Sequence, residues 1–232
     1  FWEQKNNKKY RVTRLSIDRF VAKPVLQPLS FKDGQRSGSG KIGARIRFPK
    51  DSSGIAGYSW ILTKNRDEEP PEEFMRFPNQ NDISVFIEED GLWYLKAKNL
   101  DNAGNWSKST VLSYFRDTTP PGKPEIVTVE TDADGFVKSN TFTVSWEKAP
   151  DPDEHIGGYT YSLEYIGSLS DYKKNPERYT VQALENYKTS VPSKIVSVKE
   201  SASWRNRDNG IYLFTVAAID TAGNIGERAS IP

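Results

Sequence analysis

The segment GLWYLKAKNLDNAGNWS (Gly91–Ser107) returns in variant form as NGIYLFTVAAIDTAGNIG (Asn209–Gly226), and SGIAGYSWIL (Ser53–Leu62) returns as EHIGGYTYSL (Glu154–Leu163). Ile156 lies 101 residues after Ile55 and Asp220 lies 119 after Asp101, so the copies keep their order while the second is longer between the matched segments. Two copies in one order imply two domains of one fold. A period near 100 residues is too long for a solenoid unit and suits independently cored domains in tandem. That arrangement favours a binding or spacing role over a reaction.

The 232 residues thus divide into copies of roughly 100–110 residues, each large enough to bury its own core. Lys+Arg number 32 against 31 Asp+Glu, a net charge of +1, which is too weak a field to make nucleic acid or a membrane surface the main partner. No apolar run approaches the ~20 residues of a membrane span. With no cysteine, disulfides, thiolate nucleophiles and Cys-based zinc sites are excluded. The opening FWEQKNNKKY carries no starting Met, signal-type segment or lipidation motif and reads as the interior of a longer polypeptide.

Period-2 alternation dominates the informative stretches. Tyr212, Phe214, Val216 and Ala218 share one face, with Leu213, Thr215, Ala217 and Ile219 on the other. In the first copy Trp93, Leu95, Ala97 and Asn99 point inward and Tyr94, Lys96 and Lys98 outward, so the lysines mark a solvent face. Phe142, Val144 and Trp146 alternate likewise, matched by Ile42, Ala44, Ile46 and Phe48. Tyr58, Trp60 and Leu62 are matched by Tyr159, Tyr161 and Leu163. The best helical candidate is Asp171–Tyr187, weakened by Pro176.

DTTPPGKP (Asp117–Pro124) cannot enter a central strand and predicts a short, stiff connection with limited hinge freedom. The expected organisation is a tail over 1–10, a first domain over 11–117 starting with a strand at roughly Arg11–Val25, a linker over 118–124, and a second domain over 125–232 with an insertion at about 167–203. Setting Asn105 against Asn224 places Pro232 against Ser113, so the last strand of the second copy looks clipped.

At FTVSWEKAPD, GGYTYSLEY and YLFTVAAIDTAGN the second copy resembles a fibronectin type III or immunoglobulin-like β-sandwich, with Trp146 and Tyr212 at that family's strand-B tryptophan and strand-F tyrosine positions. The first copy, at Ser53–Trp60, Gly91–Ser107 and Asp117–Pro121, is similar to repeats of bacterial surface proteins. The resemblance implies an all-β fold of two tandem sandwiches of about seven strands each. It also implies spacer, adhesion or accessory roles outside the cytoplasm. Trp93 stands where a strand-F tyrosine is expected, so the usual buried tyrosine hydroxyl bond would pass to an indole N–H or be absent.

His155 is the only histidine and sits in the turn-rich DPDEHIGG, where a solvated loop residue outweighs a catalytic base. Paired carboxylates for glycoside hydrolysis lack a cleft-forming insertion. In a sandwich of this type the B–C and F–G loops share one pole. That gathers Asp117, Asp151, Asp153, Glu154, Asp220 and Asn224, hard oxygen donors suited to calcium, against the plainer reading as turn and cap residues. TDADG (Thr131–Gly135) reads as a hairpin turn. Trp60, Trp93 and Trp146 have inward phase. Trp2, Trp106 and Trp204 fall in loops or at the terminus and, with Tyr172 and Tyr179 of the insertion, are candidates for stacking on sugar rings. The basic cluster Lys5, Lys8, Lys9, Arg11 and Arg14 reads as a solvated tail.

The expected function is a non-enzymatic spacer or protein-interaction module of a larger extracytoplasmic bacterial protein, without cofactor unless calcium binds. Its partner would be a protein or a cell-envelope polymer. The alternative is an accessory, weakly carbohydrate-binding domain pair of a secreted polysaccharide-active enzyme. Contacts are expected from the 167–203 insertion, since long loops on a rigid scaffold carry binding, or from the domain junction.

Overall fold

Alternation at Ile42, Ala44 and Ile46 puts three compact apolar side chains on one face of a strand, and all three are fully buried. The computed structural model describes residues 2–5, 8–11, 16–129, 131–132, 136–137, 139–185 and 187–232. The chain splits into two units, one of Phe1–Gln35 with Gly40–Phe115 and the other of Arg36–Ser39 with Arg116–Pro232.

The first nine strands are β1 (Trp2–Lys5), β2 (Lys8–Arg11), β3 (Val25–Pro28), β4 (Gln35–Ser37), β5 (Lys41–Arg47), β6 (Ile55–Thr63), β7 (Asp82–Phe86), β8 (Gly91–Asp101) and β9 (Thr110–Arg116). β1 and β2 form a hairpin, β3-β5-β7 one sheet and β4-β9-β8-β6 another. Leu26, Ile42, Ala44, Ile46 and Ile83 of one sheet meet Tyr58, Leu95, Ala97, Leu112 and Tyr114 of the other. That is a β-sandwich core.

The second unit continues with β10 (Ile126–Val129), β11 (Phe142–Trp146), β12 (Ile156–Gly167), α1 (Leu169–Lys174), a 3-10 turn (Pro176–Tyr179), α2 (Val181–Leu184), β13 (Ser201–Trp204), β14 (Ile211–Asp220) and β15 (Ala229–Ile231). Its sheets are β10-β11-β13 and β12-β14-β15. Val144, Trp146 and Ala202 of one pack against Tyr159, Phe214, Val216, Ala218 and Ala229 of the other. Trp146 sits edge-on to Tyr159 at 5.4 Å and stacks on Phe214 at 5.7 Å. The all-β fold expected from the sequence is the fold observed.

The duplication reaches the details of the backbone. β6 against β8 shifts register between Ile55 and Gly57, and β12 against β14 shifts between Ile156 and Gly158, the same bulge in both copies. Glycine is required there by close approach: a Cβ on Gly57 would lie 2.3 Å from the Phe74 ring, and one on Gly158 would lie 2.6 Å from Ile195 Cγ2. In each copy a returning segment bridges the next tyrosine, Arg76 to Tyr58 and Ser197 to Tyr159. The extra length of the second copy therefore falls between β12 and Ser197. There Pro176 opens the 3-10 turn and interrupts the helical candidate, leaving only the short α1 and α2.

Three expectations change. The stretch 16–24 carries no strand, and the first sandwich strand is β3 alone; the rest of the strand expected at Arg11–Val25 includes 12–15, outside the described residues. Lys96 and Lys98 do not face solvent. They are 5% and 6% exposed, because the loop after β6 folds back over their face of the sheet. Lys96 Nζ donates to Arg66 O at 2.7 Å, Glu68 O at 2.8 Å and Glu69 Oε1 at 2.9 Å. The outer face of β14 is likewise closed, with Thr215 and Ala217 fully buried. On the same face Thr160 Oγ1 donates to Pro192 O at 2.6 Å, and Ser190 N to Glu164 Oε1 at 2.6 Å, so the end of the insertion crosses it.

Candidate functional site

Each F-type strand ends in an acid followed four residues on by an asparagine, and this Asp–Asn pair organises the loops at one pole of its unit. In the first unit Asp101 Oδ1 accepts from Ala103 N at 2.9 Å and Asn105 N at 2.7 Å. Asn105 Nδ2 then joins Asp101 Oδ2 at 2.8 Å to Asp18 O at 3.2 Å. In the second unit Asn224 Nδ2 joins Asp220 Oδ2 at 2.8 Å to Asp117 O at 3.1 Å. Burial alone would raise the Asp101 carboxyl, but bonds from the Asn105 side chain and from backbone N–H groups outweigh it and hold that carboxyl below the usual carboxylate range.

The acids expected as calcium donors are thus partly assembled. Asp117 and Asp153 converge on Arg36, whose Nη1 donates to Asp117 Oδ2 at 2.9 Å and Asp153 Oδ2 at 2.8 Å. Asp220 is held by Asn224, and Asp151 accepts the His155 backbone N–H. A guanidinium therefore supplies positive charge where a divalent ion was considered. Arg36 lies 81 residues before Asp117, so nothing in the local sequence pointed to it. The first unit has the corresponding set Asp18, Asp51 and Asp101, with carboxylate oxygens within 4.8 Å of one another. There Asp51 Oδ1 accepts from Ser53 N and Gly54 N at 3.0 Å each, and Asp18 Oδ2 from Ser53 N at 3.1 Å. The repeat itself was the signal for this set, since Asp101 and Asn105 align with Asp220 and Asn224.

The aromatic candidates separate. Trp204 is not a loop residue; it ends β13, stacks on Phe142 at 5.5 Å and meets Tyr161 and Phe214 edge-on. Its faces are spent in the core, because β13 pairs with β11 and inherits the inward phase. Trp106 carries Lys98 Nζ over its ring at 5.5 Å. Trp2 lies in β1, within the basic hairpin that holds Lys5, Lys8, Lys9 and Arg11; the side chains of these residues, Arg14 and 133–135 of the TDADG run fall outside the described residues. Tyr172 and Tyr179 come together edge-on at 5.9 Å, and Tyr172 meets Phe136 at 5.7 Å. The Tyr179 hydroxyl donates to Asp171, lowering that carboxyl and raising its own pKa.

These tyrosines border a groove of about 810 Å³ in the second unit, whose floor includes Phe142, Val144, Leu163 and Phe214. His155 is exposed in its turn, and its carbonyl accepts from Thr221 N at 2.8 Å. The strand-F anchor takes the form anticipated for the first unit: Trp93 Nε1 donates to Glu89 O at 3.1 Å, as the Tyr212 hydroxyl donates to Asp208 O at 3.1 Å. Both partners stand four residues upstream.

No family model and no curated protein matches the chain. Among solved structures, the fibronectin(III)-like modules of Clostridium thermocellum CbhA are similar at 14% identity and a TM-score of 0.46, over 89% of this chain and 92% of that one. The FN1–FN3 domains of chicken CNTN1 are similar at 16% identity and a TM-score of 0.46, over 91% of this chain and 65% of that one.

Proposed function

We propose that the chain is a non-enzymatic structural and protein-interaction module, in which two cored sandwiches hold an insertion that makes the contacts. The observation that carries this is the exposure of apolar residues in that insertion and in the segment that returns from it. Val181 and Tyr187 are exposed in the extra length, and Ile195, Val196 and Val198, the last by 73%, are exposed in the returning segment beside it, where the first copy likewise exposes Phe74, Met75 and Phe77. Exposed apolar clusters of this kind mark interaction surfaces. The acids and the histidine that could have supported a reaction serve instead as loop-locking acceptors and exposed turn residues. The likeness of the first copy's motifs to bacterial surface repeats supports an extracytoplasmic setting, with a protein or envelope polymer as partner. With Trp204 in the core, the sugar-stacking alternative keeps only Trp106, Tyr172 and Tyr179 as described platforms.

The test is site-specific photocrosslinking from positions 181, 196 and 198, with Arg47 and Lys50 of the first unit as controls. A discrete adduct from the insertion positions alone is expected. Equal labelling from the controls, or none from the insertion, refutes the reading.

A further inference from the structure

Both copies turn apolar side chains to water at one equivalent place. Arg76 bridges Tyr58 as Ser197 bridges Tyr159, so Phe74, Met75 and Phe77 stand where Ile195, Val196 and Val198 stand in the second unit. All six are exposed, by 42% to 73%. Each returning segment lies along an outer strand of its sheet, β6 in one and β12 in the other, and β12 is the edge opposite β15. The two ridges are held in place by their own units. Tyr58 N donates to Arg76 O at 3.1 Å and Tyr159 N to Ser197 O at 2.7 Å. Phe74 and Ile195 sit against Gly57 and Gly158, and Phe77 meets Phe74 edge-on at 4.8 Å. The flanks of the ridges carry opposite charge. Glu72 and Glu73 precede the first, Lys194 and Lys199 bracket the second, and all four are exposed. Among the described residues Glu73, Lys194 and Lys199 join no ion pair, and Glu72 reaches only Lys98 at 3.4 Å. The other charges close by act on their own units, Arg76 on the Tyr58 hydroxyl and Glu200 on the Tyr159 hydroxyl.

We propose that the first-unit ridge of one chain docks on the second-unit ridge of another copy of the same chain, with the apolar side chains facing and Glu73 set beside a lysine. Because Lys194 and Lys199 bracket the second ridge, the acid meets a lysine whichever way the two segments run. Two second ridges together would set lysine against lysine, and like charges brought together oppose that pairing. Charge complementarity thus selects the unlike ridge, which every copy of the chain carries. The contact is heterologous, joining different surfaces of the two copies. Three apolar side chains a side fall short of the roughly 20–30 residues of a stable interface, so dissociation constants of about 0.1–1 mM are expected. Contacts this weak become effective where many copies are held close together.

This inference deepens the interaction reading and rests on it, yet the two fail separately. Crosslinking from Val198 to a different protein, with the purified chain monomeric, keeps that reading and overturns this one. The test is sedimentation velocity of the full chain from about 10 μM to about 1 mM, a range that spans the expected dissociation constants. The weight-average sedimentation coefficient should rise with concentration, and less steeply at high salt. Glu73→Lys should weaken association at least about tenfold, as should Lys194→Glu combined with Lys199→Glu. Val198→Ser should weaken it several-fold through lost apolar contact. All these side chains are exposed, so urea midpoints should stay with the wild type, and Lys50→Glu should leave association unchanged. Mixing the Glu73→Lys chain with the Lys194→Glu, Lys199→Glu chain sets a lysine against two glutamates and should restore association. A wild type that stays monomeric, charge variants that associate like wild type, or a mixture that stays dissociated overturns the proposal.

Discussion

Replacing Lys96 by methionine tests whether the loop after β6 is held by a buried cation. Methionine keeps the apolar stem and removes the ammonium, so the effect isolates the charged head. That head, 5% exposed, donates to two backbone carbonyls and to Glu69. A hydrogen bond to a charged group contributes about 1.5–3 kcal/mol, and a carbonyl left without a donor costs about 1–3 kcal/mol when buried. The loop is exposed over 64–69, so the carbonyls regain water in part, and Glu69, 53% exposed, regains it readily. The expected loss is therefore about 2–4 kcal/mol. Glu69→Gln should couple to Lys96→Met by no more than about 1 kcal/mol, as for exposed ion pairs. Urea denaturation measures both, with exposed Lys50→Met as a control expected within about 0.5 kcal/mol of wild type. Tryptic cleavage after Arg66 should accelerate in Lys96→Met. A variant as stable as the control, with unchanged cleavage, would refute the claim that these bonds pin the loop.

Three further outcomes follow from the same physics. Tyr212→Phe and Trp93→Phe each remove one bond to the carbonyl four residues upstream and should cost about 1 kcal/mol in urea denaturation; neutrality of both would mean the anchors are incidental. The folded Asp101 carboxyl lies below its ordinary range, so its stabilisation is complete above about pH 4 and is lost as pH falls through the depressed value. Asp101→Asn should flatten the acid limb of stability against pH, and an unchanged limb would contradict this. With Arg36 shared by Asp117 and Asp153, millimolar calcium or chelator should leave Tm unmoved; a calcium-dependent rise lost in Asp117→Asn would restore the metal reading.

The duplication, the strand phases and the aromatic cores were legible because they are local properties of the chain. A residue's neighbours two positions away decide which face it joins, and this held for Ile42, Phe142, Tyr159 and Phe214. The Asp–Asn loop lock was legible in the second copy alone, because only those acids were read together there; its counterpart Asp18 lies 83 residues from Asp101.

Alternation assigns Lys96, Lys98, Thr215 and Ala217 to an outer face but cannot say what lies on it. That depends on segments such as 65–72 and 189–192 folding back across the strands, a non-local event driven by area removed from water and by acceptors finding donors. The same holds for Arg36, which lies 81 residues from Asp117. Sequence alone determined the period, the sandwich and the inward face of each strand. Tertiary structure decided what covers the outer faces, because coverage belongs to pairs of segments that the chain order keeps apart.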